Sequence, residues 1–194
     1  SNFQKHIAPN GLNCNYTATL TASANINDTT NVIQFDDRRI YDFNYSTTGT
    51  GFSTSNNYAI DTARPTASII VADTALKAGE TSLVTFTFSE AVTGFTNADL
   101  VIANGTLSPV SSFDGGITWT ATFTPSANIS DTTNLITLDN TGIADLSGNT
   151  GTGTTISNNY VIDTVRPTAT IIVADTALKA GETSLVTITF SEAV

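Results

Sequence analysis

Residues 61–92 read DTARPTASIIVADTALKAGETSLVTFTFSEAV and residues 163–194 read DTVRPTATIIVADTALKAGETSLVTITFSEAV, so three of 32 positions differ across a spacing of 102 residues. A chain that repeats at this period must close each core within about one hundred residues and then begin again. A second set of matches falls at a spacing of 102 or 103 residues. Tyr16-Thr-Ala-Thr-Leu20 corresponds to Trp119-Thr-Ala-Thr-Phe123, Asp28-Thr-Thr-Asn31 to Asp131-Thr-Thr-Asn134, and Ser55-Asn-Asn-Tyr58 to Ser157-Asn-Asn-Tyr160. The expected organisation is residues 1–61 as the later part of a divergent repeat, 62–163 as a complete repeat, and 164–194 as the first two strands of another.

Within the complete copy, apolar residues alternate with period two, the mark of half-buried strands. Val84, Phe86 and Phe88 share one strand face, and Trp119, Ala121 and Phe123 share another, with Thr118, Thr120 and Thr122 opposite. Ile69 with Val71, Ile136 with Leu138, and Tyr160 with Ile162 add three inward pairs. Asn104-Gly105 and Asp114-Gly-Gly116 are hairpin signals, so residues 99–124 are expected to form a three-strand meander. About seven short strands with no helical period predict an all-β fold of tandem immunoglobulin-like antiparallel β-sandwiches, with Trp119, Phe88 and Phe123 in one core.

The succession DTxRPT, ALKAGETSLVTFTFSEAVTGFTNADL, NGTL, DGGITWTATFTP, DTTN, ADLSGN and NNYVIDT resembles the bacterial Ig-like repeats of giant surface adhesins and biofilm-associated proteins. Residues 36–48 and those before Asn15 depart from the pattern. The resemblance implies a secreted, cell-surface chain that serves as a stalk or filament-forming segment, with Ca²⁺ stiffening in some such repeats.

Charge and composition agree with an extracellular mechanical part. Seventeen acidic residues against seven basic ones give a net charge of −10, which repels nucleic acid and anionic lipid and leaves cations as natural partners. There is one cysteine, Cys14, hence no internal disulfide. No apolar run reaches the ~18 residues of a membrane span, and with no Met and no leader the chain reads as an excerpt of a longer exported protein. His6 is the sole histidine, no nucleophile–base pattern recurs, and adjacent Asp36 and Asp37 would point to opposite strand faces, so no catalytic site is expected. His6 and Cys14 lack the clustered spacing of a zinc site.

If strands run alternately up and down, Asp61, Glu90, Asp99, Asp114, Asp139 and Asp145 collect at one end of the complete repeat, and Asp73, Glu80 and Asp131 at the other. Carboxylates so gathered repel one another unless a cation sits among them, and hard oxygen ligands suit Ca²⁺. The expected ligand set is Asp61, Glu90, Asp99, Asp139, Asp145 and Asn149. The competing reading is that these residues cap their own turns.

Residues 36–48 replace a small-residue loop with Arg38, Arg39, Tyr41, Phe43 and Tyr45, a composition enriched at binding hot spots. It fits contact with a neighbouring domain or, alternatively, an adhesive module for a glycan or protein receptor. The partners expected are neighbouring repeats or other copies of the chain. Residues 164–194 lack the strands that would cover Val186, Ile188 and Phe190, and residues 1–60 lack opening strands. Two accounts stand: covalent neighbours in a continuous repeat polymer, which is preferred, or head-to-tail exchange of strands between chains.

Overall fold

The computed structural model describes residues 4–7, 14–41 and 47–194, which group into two units: residues 1–64 with 144–149, and residues 65–143 with 150–194. The first unit opens with β1 (Gln4–Ile7), β2 (Cys14–Thr17), β3 (Asn27–Asn31), β4 (Gln34–Asp36), β5 (Phe52–Thr54) and β6 (Tyr58–Asp61). The second contains β7 (Ala67–Val71), β8 (Ala75–Lys77), β9 (Ser82–Phe88), β10 (Val92–Thr93), β11 (Leu100–Ile102), β12 (Gly105–Leu107), β13 (Ser111–Ser112), β14 (Thr118–Pro125), β15 (Ser130–Asn134) and β16 (Ile136–Asp139). β17 (Ala144–Asp145) belongs to the first unit, and β18 (Thr154–Ile156), β19 (Tyr160–Asp163), β20 (Ala169–Val173) and β21 (Val186–Phe190) complete the second.

In the second unit one sheet runs β12-β14-β9-β7, with β13 also on β14; the opposing layer consists of β11-β16-β18 and β15-β19-β8. The period-two pattern explains the layering. Along β9 the side chains of Ser82, Val84, Phe86 and Phe88 are buried and the intervening ones are not. Phe86 and Phe123 of one layer and Ile136, Leu138, Tyr160 and Ile162 of the other are all 0 % exposed and share one core. Phe95 packs edge-on against Phe86, Phe88 and Trp119, with centroids 5.1, 5.4 and 5.4 Å away. Trp119 faces inward as the alternation requires, but it is only partly buried against the core. It sits half-buried at the rim, where its Nε1 donates to the Gly116 carbonyl at 3.0 Å.

Two features correct the sequence expectation. Residues 99–124 do not form a meander: β12 and β13 pair with β14, but β11 pairs with β16 in the opposite layer. Asn104, at φ 56°, and Gly105 therefore make a corner between layers instead of a hairpin. Gly105 is required for space: a Cβ there would fall on the Phe123 ring and 2.6 Å from the Thr124 carbonyl oxygen. Second, the ladders are not uniformly antiparallel. β8 pairs in parallel with β19, Ala75 beside Val161 and Lys77 beside Asp163.

The DTTN motif is a buried polar clasp. Asn134, 1 % exposed, donates through Nδ2 to the carbonyls of Asp131 (3.0 Å) and Tyr160 (3.1 Å), and its Oδ1 accepts from Asn104 Nδ2 (2.8 Å). Asn31 repeats the first two bonds in the first unit, to Asp28 and Tyr58. The threonine of each DT-x-RPT segment is a second repeated anchor. Thr164 Oγ1 donates to Ser126 and accepts from the Ile129 N–H; Thr62 Oγ1 does the same with Ser23 and Ile26. The end of each last strand is thus tied to the loop before its partner strand.

Candidate functional site

Of the expected cation ligands, the structure brings Asp61, Asp145 and Asn149 together within the first unit. A carboxylate oxygen of Asp61 and one of Asp145 lie within 4.8 Å of each other. Asn149 Nδ2 links them, donating to Asp145 Oδ2 at 2.8 Å and to the Asp61 carbonyl at 3.3 Å. Ser147, which the sequence alone does not single out, donates its hydroxyl to Asp61 Oδ2 at 2.7 Å. The segment closes on itself because Gly148 takes φ 89°, turning the chain so that successive N–H groups point at one carboxylate.

Asp145 is 3 % exposed. Burial pushes its carboxyl upward, but the Asn149 side-chain amide and the N–H groups of Asn149, Ser147 and Gly148 outweigh this and hold it below its ordinary value. The oxygens here are hard donors of the kind Ca²⁺ takes. To bind it, Asn149 must present its amide oxygen where it now presents Nδ2.

Asp99 and Asp139, also expected as ligands, lie in the second unit and cap local turns. Asp99 accepts the Thr96 N–H and hydroxyl at 2.8 and 3.1 Å, capping the short 3₁₀ turn Asn97–Asp99. Its Oδ1 fills the space where Gly142 would otherwise carry a Cβ. Asp139 caps the turn Asn140–Gly142 by accepting the Thr141 N–H and hydroxyl, which lower its pKa. Glu90 is half-buried in the bend after β9.

Asp114 is the most strongly stabilised carboxylate, and its role is structural. Thr118, through its N–H and its side chain, holds the group at about 2, with further help from the Ser112 hydroxyl and the Ile117 N–H. Its folded value lies below the ordinary 3.8, so its stabilisation is complete above about pH 4 and is lost as pH falls through 2. Acid melts of the wild type should therefore lose stability between pH 4 and 2. Asp114→Asn should flatten that part of the profile; an unchanged slope would refute the assignment. Beside this hairpin Ser111, Phe113, Asp114, Thr118 and Thr120 line a shallow recess of about 330 Å³, with Phe113 93 % exposed.

In the divergent loop, Arg38 forms a two-pronged ion pair with Asp36, at 2.9 Å on both arms, and lies 4.6 Å above the Phe52 ring centroid. The pairing lowers the Asp36 pKa and raises that of Arg38. Tyr41 bridges to Thr48 and is exposed, as is Arg39; Phe43 and Tyr45, with Asp42, lie outside the described residues. Asp37 closes the loop, accepting the Gly51 N–H at 2.6 Å.

No curated protein matches the chain. The family model described as bacterial Ig-like domain matches residues 61–162 and again 163–194. The layered β-architecture, the short-period alternation and the duplicated linker anchors fit that match, and the chain belongs to the family of bacterial Ig-like domains.

Proposed function

We propose that this chain is a spacer segment of a bacterial cell-surface protein, a stalk or filament stretch that sets the reach of an adhesive end. Bacterial Ig-like domains have structural or surface-associated roles and are generally non-catalytic. They are often extracellular, and no helix among the described residues is long and apolar enough to cross a membrane. The observation that carries the reading is the duplication itself. At a spacing of 102 to 103 residues the chain repeats its opening strands, its Asn clasp and its threonine-anchored linker, which is how a chain is built to add equal increments of length. Ca²⁺ held by Asp61, Asp145 and Asn149 is the proposed stiffening ion. A receptor-binding role for residues 36–48 is the weaker reading, since Arg38 is already committed to Asp36 and Phe52.

Solution scattering from arrays of one, two and three copies of residues 62–163 tests the spacer role. The largest dimension should grow by an equal step of at least about 27 Å, the length of an eight-residue strand at ~3.4 Å per residue. Growth that levels off would mean the copies collapse together. The full 194-residue chain, melted in millimolar Ca²⁺ and in chelator, should differ in Tm by mass action. Asp145→Asn should shrink the difference, whereas identical melts remove the ion from the proposal.

A further inference from the structure

Phe113 is the most exposed large apolar side chain among the described residues, and it lies in the turn between β13 and β14 of the repeat that has both its layers. That turn is held rigidly. Asp114 uses its carboxylate on it: Oδ1 accepts from the Ser112 hydroxyl and from the N–H groups of Ile117 and Thr118 at 2.9, 3.2 and 2.9 Å, and Oδ2 accepts from the Thr118 N–H at 3.0 Å. Gly116, at φ 102°, lies so close beneath β10 that a Cβ there would stand 2.7 Å from the Val92 carbonyl oxygen. The ring is therefore displayed by a fixed hairpin, the condition for binding without a large ordering cost.

The ladder sets what lies beside the ring. Ser111 opposes Thr120 and Ser112 opposes Trp119, so Ser111 and Thr120 share the outer face of the sheet while Trp119 faces the core. With Phe113, Asp114 and Thr118 they line the recess of about 330 Å³ described above. Neither the Ser111 nor the Thr120 hydroxyl is hydrogen-bonded within the described residues, so each keeps one donor and two acceptor sites for a ligand. Two residues along a strand span about 7 Å, so the ring and the Ser111 hydroxyl stand roughly one pyranose width apart.

A flat apolar wall beside free hydroxyls matches a molecule with a C–H face and a hydroxyl-bearing edge. A purely apolar ligand would leave the hydroxyls unmatched. A cation would find the Asp114 oxygens already bonded and one aromatic ring in place of a cage. An anion would meet the Asp114 charge and a chain of net charge −10. We infer that this recess binds one neutral saccharide unit, free or within a glycan chain, its C–H face stacked on Phe113 and its hydroxyls bonded to Ser111 and Thr120. The site goes beyond the spacer role and does not depend on it. It is also not a requirement of the fold: aligned through Tyr16 and Trp119, the first repeat has Asn10 and Gly11 in place of Phe113 and Asp114.

Amide chemical shifts of the full 194-residue chain, titrated with the methyl glycosides of glucose, galactose, mannose and N-acetylglucosamine, test this. At least one should give saturable shifts centred on residues 111–120, with a dissociation constant of roughly millimolar order, as one shallow subsite allows. Phe113→Ala and Phe113→Leu should each weaken that binding about tenfold, whereas Phe113→Tyr should keep it, because the flat ring face and not apolar bulk holds the sugar. Thr120→Val, which keeps the shape and removes the hydroxyl, should weaken it by about threefold to tenfold. Phe113 is exposed, so its variants should melt with the wild type. The methyl glycoside of glucuronic acid should bind several-fold more weakly than the neutral sugar. No saturable shift with any of the four glycosides, shifts centred elsewhere, or binding undiminished in Phe113→Leu each overturn the inference. Tighter binding of N-acetyl-lysine amide, the probe for a basic protein side chain, overturns it as well. The scattering steps of the arrays do not involve Phe113, so the spacer role stands or falls separately.

Discussion

Replacing Phe123 by alanine should cost the complete repeat about 3–5 kcal/mol, the range for emptying a fully buried aromatic site. Its ring is 0 % exposed and meets Tyr160 of the opposing layer edge-on at 5.1 Å, so the hole would open between the two layers. Gly105→Ala should cost about 1–3 kcal/mol for the opposite reason, since the added methyl meets that ring and the Thr124 carbonyl oxygen. The two should not add. With Phe123 gone, the methyl introduced by Gly105→Ala keeps its close approach to the Thr124 carbonyl oxygen but loses its overlap with the ring, and the double variant should be more stable than the sum predicts by about 1 kcal/mol. Urea melts followed by Trp119 emission measure all three; strict additivity would show that the corner and the ring are not in contact.

Asn134→Ala should cost about 2–4 kcal/mol, more than the removal of most polar side chains. The substitution leaves the Tyr160 carbonyl without its donor inside the core and takes an acceptor from Asn104, so the loss includes desolvation that is no longer repaid by a bond. Asn134→Asp keeps the size and removes the donor, directing a carboxylate at two carbonyls. It should be at least as damaging as alanine. If aspartate is tolerated, the clasp is not held by the Nδ2 bonds to Asp131 and Tyr160.

The core was legible because burial in a strand has a local signature. Val84, Phe86 and Phe88 alternate with Leu83, Thr85 and Thr87, and each of the three is inside. Tyr160 and Ile162 obey the same rule. What escaped is whatever depends on partners distant in sequence. β11 has strand-forming residues, but nothing in Leu-Val-Ile says that it will pair with β16 instead of continuing beside β12. Asn104-Gly105 is a hairpin signal by composition; the Phe123 ring and the Asn104 bonds to Asp131 and Asn134 make it a corner. β8 is three residues long and has no periodicity to read. At the site, counting strand directions was enough to pair Asp61 with Asp145 and Asn149. It also gathered Asp99, Asp114 and Asp139, whose side chains accept bonds from their own turns, as Asp commonly does.

The parallel pairing of β8 with β19 has a consequence for a chain held at both ends. β8 lies near the start of the complete repeat and β19 at its close, and they point the same way. Once β7 has parted from β9, tension applied through the two flanking linkers pulls β8 by its leading end and β19 by its trailing end, so the strands are drawn past each other along their own axes. The ladder is then loaded in shear: Ala75, Leu76 and Lys77 opposite Val161, Ile162 and Asp163 share the force at once. An antiparallel pair pulled from adjacent ends would unzip one bond at a time. At the short strand Ala75–Lys77 this repeat therefore meets tension with a ladder that parts all together instead of by peeling.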